Sequence, residues 1–208
     1  MEAIPKIPAD ILAGPSGGRV GAFFDLDGTL VQGFTAAVHL GHRIRHRQAR
    51  FGELTGTVEA ALRYRFGRMK FEHLLSRAGG YLRGESLAEL HDLGGQLYAQ
   101  RIESRVYQEM RDIVAAHRQA GHTLVMCSSA MTMHAAPIAD ALAIPHVICN
   151  RFDVDTDGRL TGAIVRPIIW GTRKARAVLD FCAAKGIASD IELIKIQETL
   201  GVTFIVVT

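Results

Sequence analysis

Two carboxylates stand at the end of an apolar run near the start of the chain. Residues 20–24 read Val-Gly-Ala-Phe-Phe, and Asp25, Asp27 and Gly28 follow closely. The pattern is typical of a buried strand of a parallel sheet, whose carboxyl end is where ligands bind. Alternate residues of an extended chain point the same way, so the two acids could share one Mg²⁺ ion. This indicates phosphoryl chemistry; the alternative is a strand-ending turn without chemistry.

A second apolar run, over residues 123–127, ends in the hydroxyl side chains of Ser128 and Ser129. A helical pattern over 110–120 and a turn at Gly121 precede it. A short hydroxyl side chain can approach a phosphoryl oxygen closely and donate a hydrogen bond to it. Taken alone, Ser128 is more typical of a helix N-cap, and it could serve both purposes, because a helix N-terminus favours anions.

A basic residue provides the third candidate. Lys174 lies in the segment Trp-Gly-Thr-Arg-Lys-Ala, which starts at residue 170 and opens a helix predicted to end near Ala184. The helix dipole disfavours a lysine in the first turn, so this placement indicates a compensating anion. The neighbours Arg173 and Arg176 suit the alternative, a solvated basic helix face.

The three segments together resemble the motifs of the haloacid dehalogenase superfamily. The resemblance implies that Asp25 is a nucleophile that forms an aspartyl-phosphate, and that Asp27 is the general acid and then the base. It implies catalytic roles for Ser128 and Lys174, and a Mg²⁺ cofactor at Asp25 and Asp27. The phosphate-binding residues that it implies are Gly28, Ser128, Ser129 and Lys174.

Within that superfamily the chain is similar to the phosphoserine-phosphatase-like branch, subfamily IB, and to the phosphatase module that some bacterial proteins fuse to a 1-acylglycerol-3-phosphate acyltransferase. The similarity rests on residues 149–165, where Asp157-Gly158 predicts a hairpin, and on the spacing of Ser128 and Lys174. It implies an α/β fold, with a Rossmann-like core, a parallel sheet and an inserted helical cap of the C1 type. The implied substrate is a small phosphorylated metabolite.

The chain divides into a core, an insertion and two ends. Residues 1–19 contain several prolines and glycines and predict an N-terminal extension, while 20–33 and 109–187 form the core. Apolar residues recur at helical spacing over 34–108, which predicts the cap, a cover that excludes water and selects small substrates. Two glycine pairs are expected to punctuate its helices, Gly79-Gly80 and Gly94-Gly95.

Residues 188–208 depart from the family pattern. The family's fourth motif, an acidic loop that completes the Mg²⁺ site, should fall near Gln197, where the sequence has no such strand and acid pair. Asp190 and Glu198 are the nearby acids that could substitute. We therefore expect weak Mg²⁺ binding and low turnover.

The same tail has a helix and strand pattern of its own. A capping box at Ser189 predicts a helix that Gly201 ends, followed by a strand over 202–207. The combination looks like a fragment of an ATP-binding-cassette ATPase. The sequence has no glycine-rich Walker loop, so an ATPase is not predicted.

The first half of the predicted cap is strongly basic. Its cations are Arg43, Arg45, Arg47, Arg50, Arg63, Arg65, Arg68 and Lys70. The pattern allows steering of an anionic substrate, peripheral contact with acidic lipid headgroups, or nucleic-acid binding, against the alternative of a solvated helical face.

Net charge, the lengths of the apolar stretches and the cysteine spacing narrow the possible functions and the cellular location. The 208 residues carry a formal net charge of +3, which does not favour a dedicated nucleic-acid binder. No apolar stretch approaches the roughly 18 residues of a membrane helix, and the N-terminus lacks a signal pattern, so we expect a cytoplasmic protein. Three widely spaced cysteines indicate core residues in a reducing compartment. A catalytically inactive phosphate-binding remnant and an interaction module for membranes or partners remain alternatives, and the oligomeric state is open.

Overall fold

The computed structural model describes residues 7–47, 55–56, 59–60, 62–63, 66–187 and 204–207 of the chain. The helix predicted between Ser189 and Gly201 lies outside these residues, and so do Asp190 and Glu198. Arg50 and Arg65 of the basic segment also fall outside them.

The described chain contains both helices and strands, and a run of helices separates the first two strands. The helices are α1 (Ile7–Ala13), α2 (Thr35–Arg45), α3 (Phe71–Tyr81), α4 (Leu87–Leu97), α5 (Gln108–Gln119), α6 (Thr132–Ala141) and α7 (Thr172–Lys185). The strands are β1 (Gly21–Phe24), β2 (Thr123–Met131), β3 (His146–Asn150), β4 (Phe152–Val154), β5 (Leu160–Ile164) and β6 (Phe204–Val207). A π-helical turn and a 3-10 turn, Tyr98–Ile102 and Glu103–Arg105, connect α4 to α5.

The central sheet has the strand order β3-β2-β1-β6. The pairs β1–β2 and β2–β3 are parallel, as predicted for the core. Strand β6 differs, because it pairs antiparallel with β1, from Gly21 opposite Val207 to Phe24 opposite Phe204. The prediction of a strand near the end of the tail is therefore confirmed, and the sheet is mixed rather than purely parallel.

Helices cover both faces of this sheet, which explains the unbroken apolar sequence of β1. All four residues of β1 are buried. Phe24 belongs to a core cluster with residues of α5 and α6, whereas Phe23 packs on the opposite face with Val178 and Cys182 of α7. Alternate side chains of a strand point to opposite faces, so one short segment supplies both cores. The fold is thus an α/β sandwich of three layers.

The cysteines behave as small core residues. Cys127 and Cys182 are buried, Cys149 is partly buried, and all three are free. Burial raises the pKa of the Cys127 thiol to about 12. The thiol therefore stays protonated and unreactive at neutral pH.

Two predicted local features have clear outcomes. The hairpin at Asp157-Gly158 is confirmed, because β4 and β5 pair antiparallel around it. The segment 1–19 contains the short helix α1, which was not predicted, and α1 packs against α5 with Ile11 touching the main core.

The prediction that glycine pairs punctuate the cap helices was wrong. Gly79-Gly80 lies within α3 and Gly94-Gly95 within α4. A Cβ on Gly94 would collide with the carbonyl oxygen of Met133 in α6, and one on Gly79 would lie 3.0 Å from the carbonyl oxygen of Gly162 in β5. These glycines allow the cap backbone to approach the core and the hairpin closely.

A cluster of buried apolar side chains lies where the cap packs against the hairpin and the core. Its buried members are Leu82, Leu90, Met131, Met133, Phe152, Leu160, Ile164 and Ile168. Leu82 and Leu90 come from the cap region, Met131 ends β2, and Phe152 starts β4. The cap is therefore held against the end of β2 by packed side chains as well as by close backbone contact.

Two buried histidines have lowered pKa values. Burial, with His122 nearby, lowers the pKa of His117 to about 4. Burial, with His39 nearby, lowers the pKa of His134 to about 3. Neither ring nitrogen of His134 has a hydrogen-bond partner among the described residues, and its ring lies edge-on to that of His39 with centroids 5.7 Å apart.

The first prediction concerns the backbone contact of the cap. Gly94→Ala should destabilise the fold by about 1–3 kcal/mol, because the added methyl group must displace the Met133 backbone. The adjacent Gly95 faces open space, with nothing within 4 Å of a Cβ. The control Gly95→Ala should therefore stabilise by about 0.5–1 kcal/mol through helix propensity. Urea denaturation measures both, and equal effects would contradict the contact.

The second prediction concerns His134. Below pH 6.5 the unfolded chain protonates its histidines while buried His134 stays neutral, so stability should fall as the pH drops towards about 3. Each such histidine contributes up to about 1.4 kcal/mol per pH unit. In His134→Phe the slope of unfolding free energy between pH 6 and 4.5 should be shallower by about that amount, with stability at pH 7.5 retained. An unchanged slope would contradict the buried neutral state.

Candidate active site

Asp25 lies directly after β1, where a tight turn begins. The backbone N–H of Leu26 donates to Asp25 Oδ1 at 2.7 Å. The Leu26 carbonyl oxygen accepts from the N–H groups of Leu30 and Val31, each at 3.0 Å, which closes the turn. Gly28 has φ +77, a left-handed conformation that disfavours other residues. The buried Leu26 and Leu30 anchor this turn in the core.

Asp27 faces the start of the cap. The N–H of Thr35, the first residue of α2, donates to Asp27 Oδ1 at 2.8 Å. Burial raises the pKa of Asp27 above its usual range, and the charge of Asp25 adds to this. The hydrogen bond from the Thr35 N–H and the charge of Lys174 lower the pKa without cancelling the effect of burial. Asp27 thus holds a proton more readily than an exposed aspartate.

Lys174 meets Asp25. Its Nζ lies 2.7 Å from Asp25 Oδ2, with the two side chains 27% and 35% exposed. Lys174 is in the first turn of α7, where its N–H donates to the carbonyl of Gly171 at 3.0 Å. The anion that compensates a lysine at this position is therefore Asp25. Both oxygens of Asp25 are engaged, one by the Leu26 N–H and one by the ammonium.

The hydroxyl candidates lie on β2, the next parallel strand. Phe24 pairs with Met126, so Asp25 is level with Cys127 and Ser128 comes one residue further along. Ser128 is 1% exposed, and its Oγ accepts from the N–H of Ala130 at 3.2 Å. The interpretation of Ser128 as a helix N-cap was wrong: β2 continues to Met131, and α6 starts only after it.

Asn150 is a site residue that the sequence analysis missed. It ends β3, is 1% exposed, and donates from Nδ2 to the Ser129 carbonyl at 2.7 Å. Its Oδ1 accepts from the Ile169 N–H at 2.8 Å, and Nδ2 also reaches the Ile169 carbonyl at 3.2 Å. Asn150 therefore ties the end of β2 to the segment that leads into Lys174. The sequence did contain a signal for Asn150: like Asp25, it is a polar residue at the end of a short, largely apolar run, residues 147–149.

The oxygen donors of the first motif fit a Mg²⁺ ion in type. Carboxylate and backbone carbonyl oxygens are what this ion prefers, and Asp25 and Asp27 present both. In the described part of the chain, however, no group of three or more His, Cys, Asp or Glu residues could hold a metal. Strand β6 begins at the same edge, since Phe204 pairs with Phe24, the residue before Asp25.

The basic segment of the cap is partly neutralised. Arg43 is 6% exposed and its Nη1 lies 2.7 Å from Glu85 Oε1. Arg63 forms an ion pair with Glu59 at 3.1 Å. The alternative of a solvated face therefore does not hold for Arg43, and these two cations are already paired. No described helix has the length and apolar character to cross a bilayer.

Comparison with known proteins identifies relatives and structures of the same fold. Phosphoserine phosphatase SerB1 of Mycobacterium tuberculosis is 29% identical over 171 residues, which cover 80% of this chain and 55% of that protein. The chain thus spans little more than half the length of this relative. A protein of unknown function from Bordetella pertussis has the same fold, with TM-score 0.74, 24% identity, and 83% and 78% of the two chains covered.

A substrate-bound phosphoserine phosphatase structure also shares the fold, with TM-score 0.60 at 18% identity, covering 85% of this chain and 75% of that one. The family described as haloacid dehalogenase-like hydrolase matches residues 22–194. Since this match spans most of the sequence, including the segments of Asp25, Ser128 and Lys174, the chain belongs to the haloacid dehalogenase-like hydrolase family.

Proposed function

We propose that the protein is a Mg²⁺-dependent phosphomonoester hydrolase that acts through an aspartyl-phosphate on Asp25. The observation that carries this proposal is the 2.7 Å contact of Lys174 with Asp25, together with the partly buried carboxyl of Asp27 two residues further on. A carboxylate nucleophile, a neighbouring acid and a cation at one sheet edge are the groups that this reaction requires. The named activity of SerB1 supports the same reaction class.

In the first step one oxygen of Asp25 attacks phosphorus, and the bond from phosphorus to the leaving oxygen breaks. Asp27 gives its proton to the departing alkoxide, for which its raised pKa suits it. In the second step Asp27 takes a proton from a water molecule that attacks the aspartyl-phosphate. Inorganic phosphate leaves and the Asp25 carboxylate is restored.

The remaining residues bind and position the phosphoryl group. Lys174 offsets the negative charge that accumulates between Asp25 and phosphate. Ser128, Ser129 and the turn at Gly28 lie at the same edge and supply hydrogen bonds to phosphoryl oxygens. Mg²⁺, held by an Asp25 carboxylate oxygen and the Asp27 carbonyl, would neutralise further charge.

A catalytically inactive phosphate-binding remnant is the second candidate function. The observation that favours it is that the described residues include no third acid at the metal site. Such a remnant would bind inorganic phosphate but release none from a substrate. Measuring both properties in one preparation separates the two candidates.

The third prediction tests the nucleophile. Asp25→Asn should lower phosphate release from an aryl phosphate in the presence of Mg²⁺ by about 10³-fold or more, because an amide is neither a competent nucleophile nor an anionic ligand. The control Asp92→Asn changes an exposed carboxylate of α4 and should retain activity. Substantial turnover in Asp25→Asn would contradict the role of Asp25 as the nucleophile. Unchanged turnover of the native protein after chelation of divalent cations would contradict the dependence on Mg²⁺.

The fourth prediction concerns Asn150 as a positioning residue. Asn150→Ala should lower kcat/KM by about 10- to 100-fold and weaken inhibition by inorganic phosphate, because the Ser129 and Ile169 backbone groups lose their shared partner. Ile144→Ala, which truncates a buried side chain just before β3 at the opposite edge of the sheet, serves as the destabilised control. If both variants lose activity only in proportion to their stability, Asn150 has a purely structural role.

A further inference from the structure

Three aromatic residues belong to chain segments that lead into or contact the proposed catalytic groups. Phe34 is 72% exposed and Trp170 is 40% exposed, although both are large and apolar. Phe71, the first residue of α3, stacks on Trp170 with ring centroids 4.2 Å apart and an interplanar angle of 18°. We call these three residues the aromatic rim.

Phe34 is fixed close to the general acid. It precedes Thr35, whose N–H donates to Asp27 Oδ1 at 2.8 Å. Adding the Cα–C and C–N bonds to that distance places the Phe34 Cα within about 6 Å of the carboxylate oxygen. The atom that Asp27 protonates is the leaving-group oxygen, so Phe34 lies on the side of the site where the leaving group must sit.

Trp170 is fixed close to the lysine. Its carbonyl accepts from the Arg173 N–H at 3.1 Å at the start of α7, and the first turn of that helix carries Lys174. The stack with Phe71 joins the segment that leads into Lys174 to the cap. Phe34 is thus close in the chain to the residue that contacts Asp27, and Trp170 is close in the chain to Lys174.

The buried cation of α2 is not available for a substrate. Arg43 is buried and holds Glu85 at 2.7 Å. A leaving group with its own ammonium and carboxylate would need charged partners, because desolvating an unpaired charge is costly. An apolar leaving group instead removes the exposed rings of the rim from water, which is favourable.

We propose that the aromatic rim is the binding site for the leaving group, and that the substrate is a phosphomonoester of an apolar alkyl or aryl alcohol rather than of a zwitterionic alcohol such as serine. This inference rests on the proposed function, since it names the substrate class for that site. Phe34 is the specificity-determining residue, because it is the most exposed ring of the rim and adjoins the acid.

The experiment compares phosphomonoesters of primary alcohols, whose leaving groups have similar basicity. We expect kcat/KM for hexyl and benzyl phosphate to exceed that for ethyl phosphate and phosphoserine by about tenfold or more. In Phe34→Ala the ratio of benzyl to ethyl phosphate should fall by about fivefold or more. The control Leu12→Ala alters an exposed apolar residue of α1 and should keep the ratio. Preference for phosphoserine, or an unchanged ratio in Phe34→Ala, would overturn the inference.

A binding measurement separates this inference from the proposed function. Benzylphosphonate and methylphosphonate cannot undergo the same hydrolysis, and calorimetry gives their dissociation constants whether or not the protein turns over. Tighter binding of benzylphosphonate by about tenfold, lost in Phe34→Ala, would support the rim even in a protein that releases no phosphate. Equal affinities for the two phosphonates would reject the rim even if hydrolysis is efficient.

Discussion

The contact of Lys174 with Asp25 is the interaction on which the proposed chemistry depends. It joins the end of the fully buried strand β1 to the first turn of α7, two elements separated by most of the core sequence. A lysine at a helix N-terminus is unfavourable without an anion. The fold supplies that anion as the Asp25 carboxylate. In the proposed aspartyl-phosphate, the phosphoryl group on Asp25 would carry the negative charge that faces Lys174. The same pair therefore serves both the resting site and the proposed reaction.

The surroundings of this pair keep the reacting groups in fixed positions. Asn150 ties the end of β2 to the segment before α7 with both ends of its amide. Close backbone contact at Gly94 and the apolar cluster around Met133 hold the cap against the same region. The cap has to be close to Asp27, because Thr35 at its start supplies a hydrogen bond to that carboxylate. Packing in the cap thus affects the electrostatics of the acid.

Sequence patterns were informative wherever chemistry follows directly from a strand end. The apolar run before Asp25, the hydroxyls that follow the apolar part of β2 and the lysine in a first helical turn each have a local physical signature, and the hairpin at Asp157-Gly158 does too. Local signatures failed where distant backbone segments meet. The glycine pair at Gly94 predicted a break in the helix, but α4 continues through it. A glycine is needed there because the backbone of Met133, in α6, leaves no room for a side chain.

Local sequence patterns were enough to predict the α/β class, the family and the candidate residues Asp25, Asp27, Ser128 and Lys174, because buried strands and their polar ends are encoded within a few adjacent residues. Tertiary structure alone decided the pairing of Lys174 with Asp25 and the role of Asn150. The antiparallel direction of β6 and the stacking of Phe71 on Trp170 also follow only from the tertiary structure. These depend on distances between segments far apart in the chain, which no local pattern specifies.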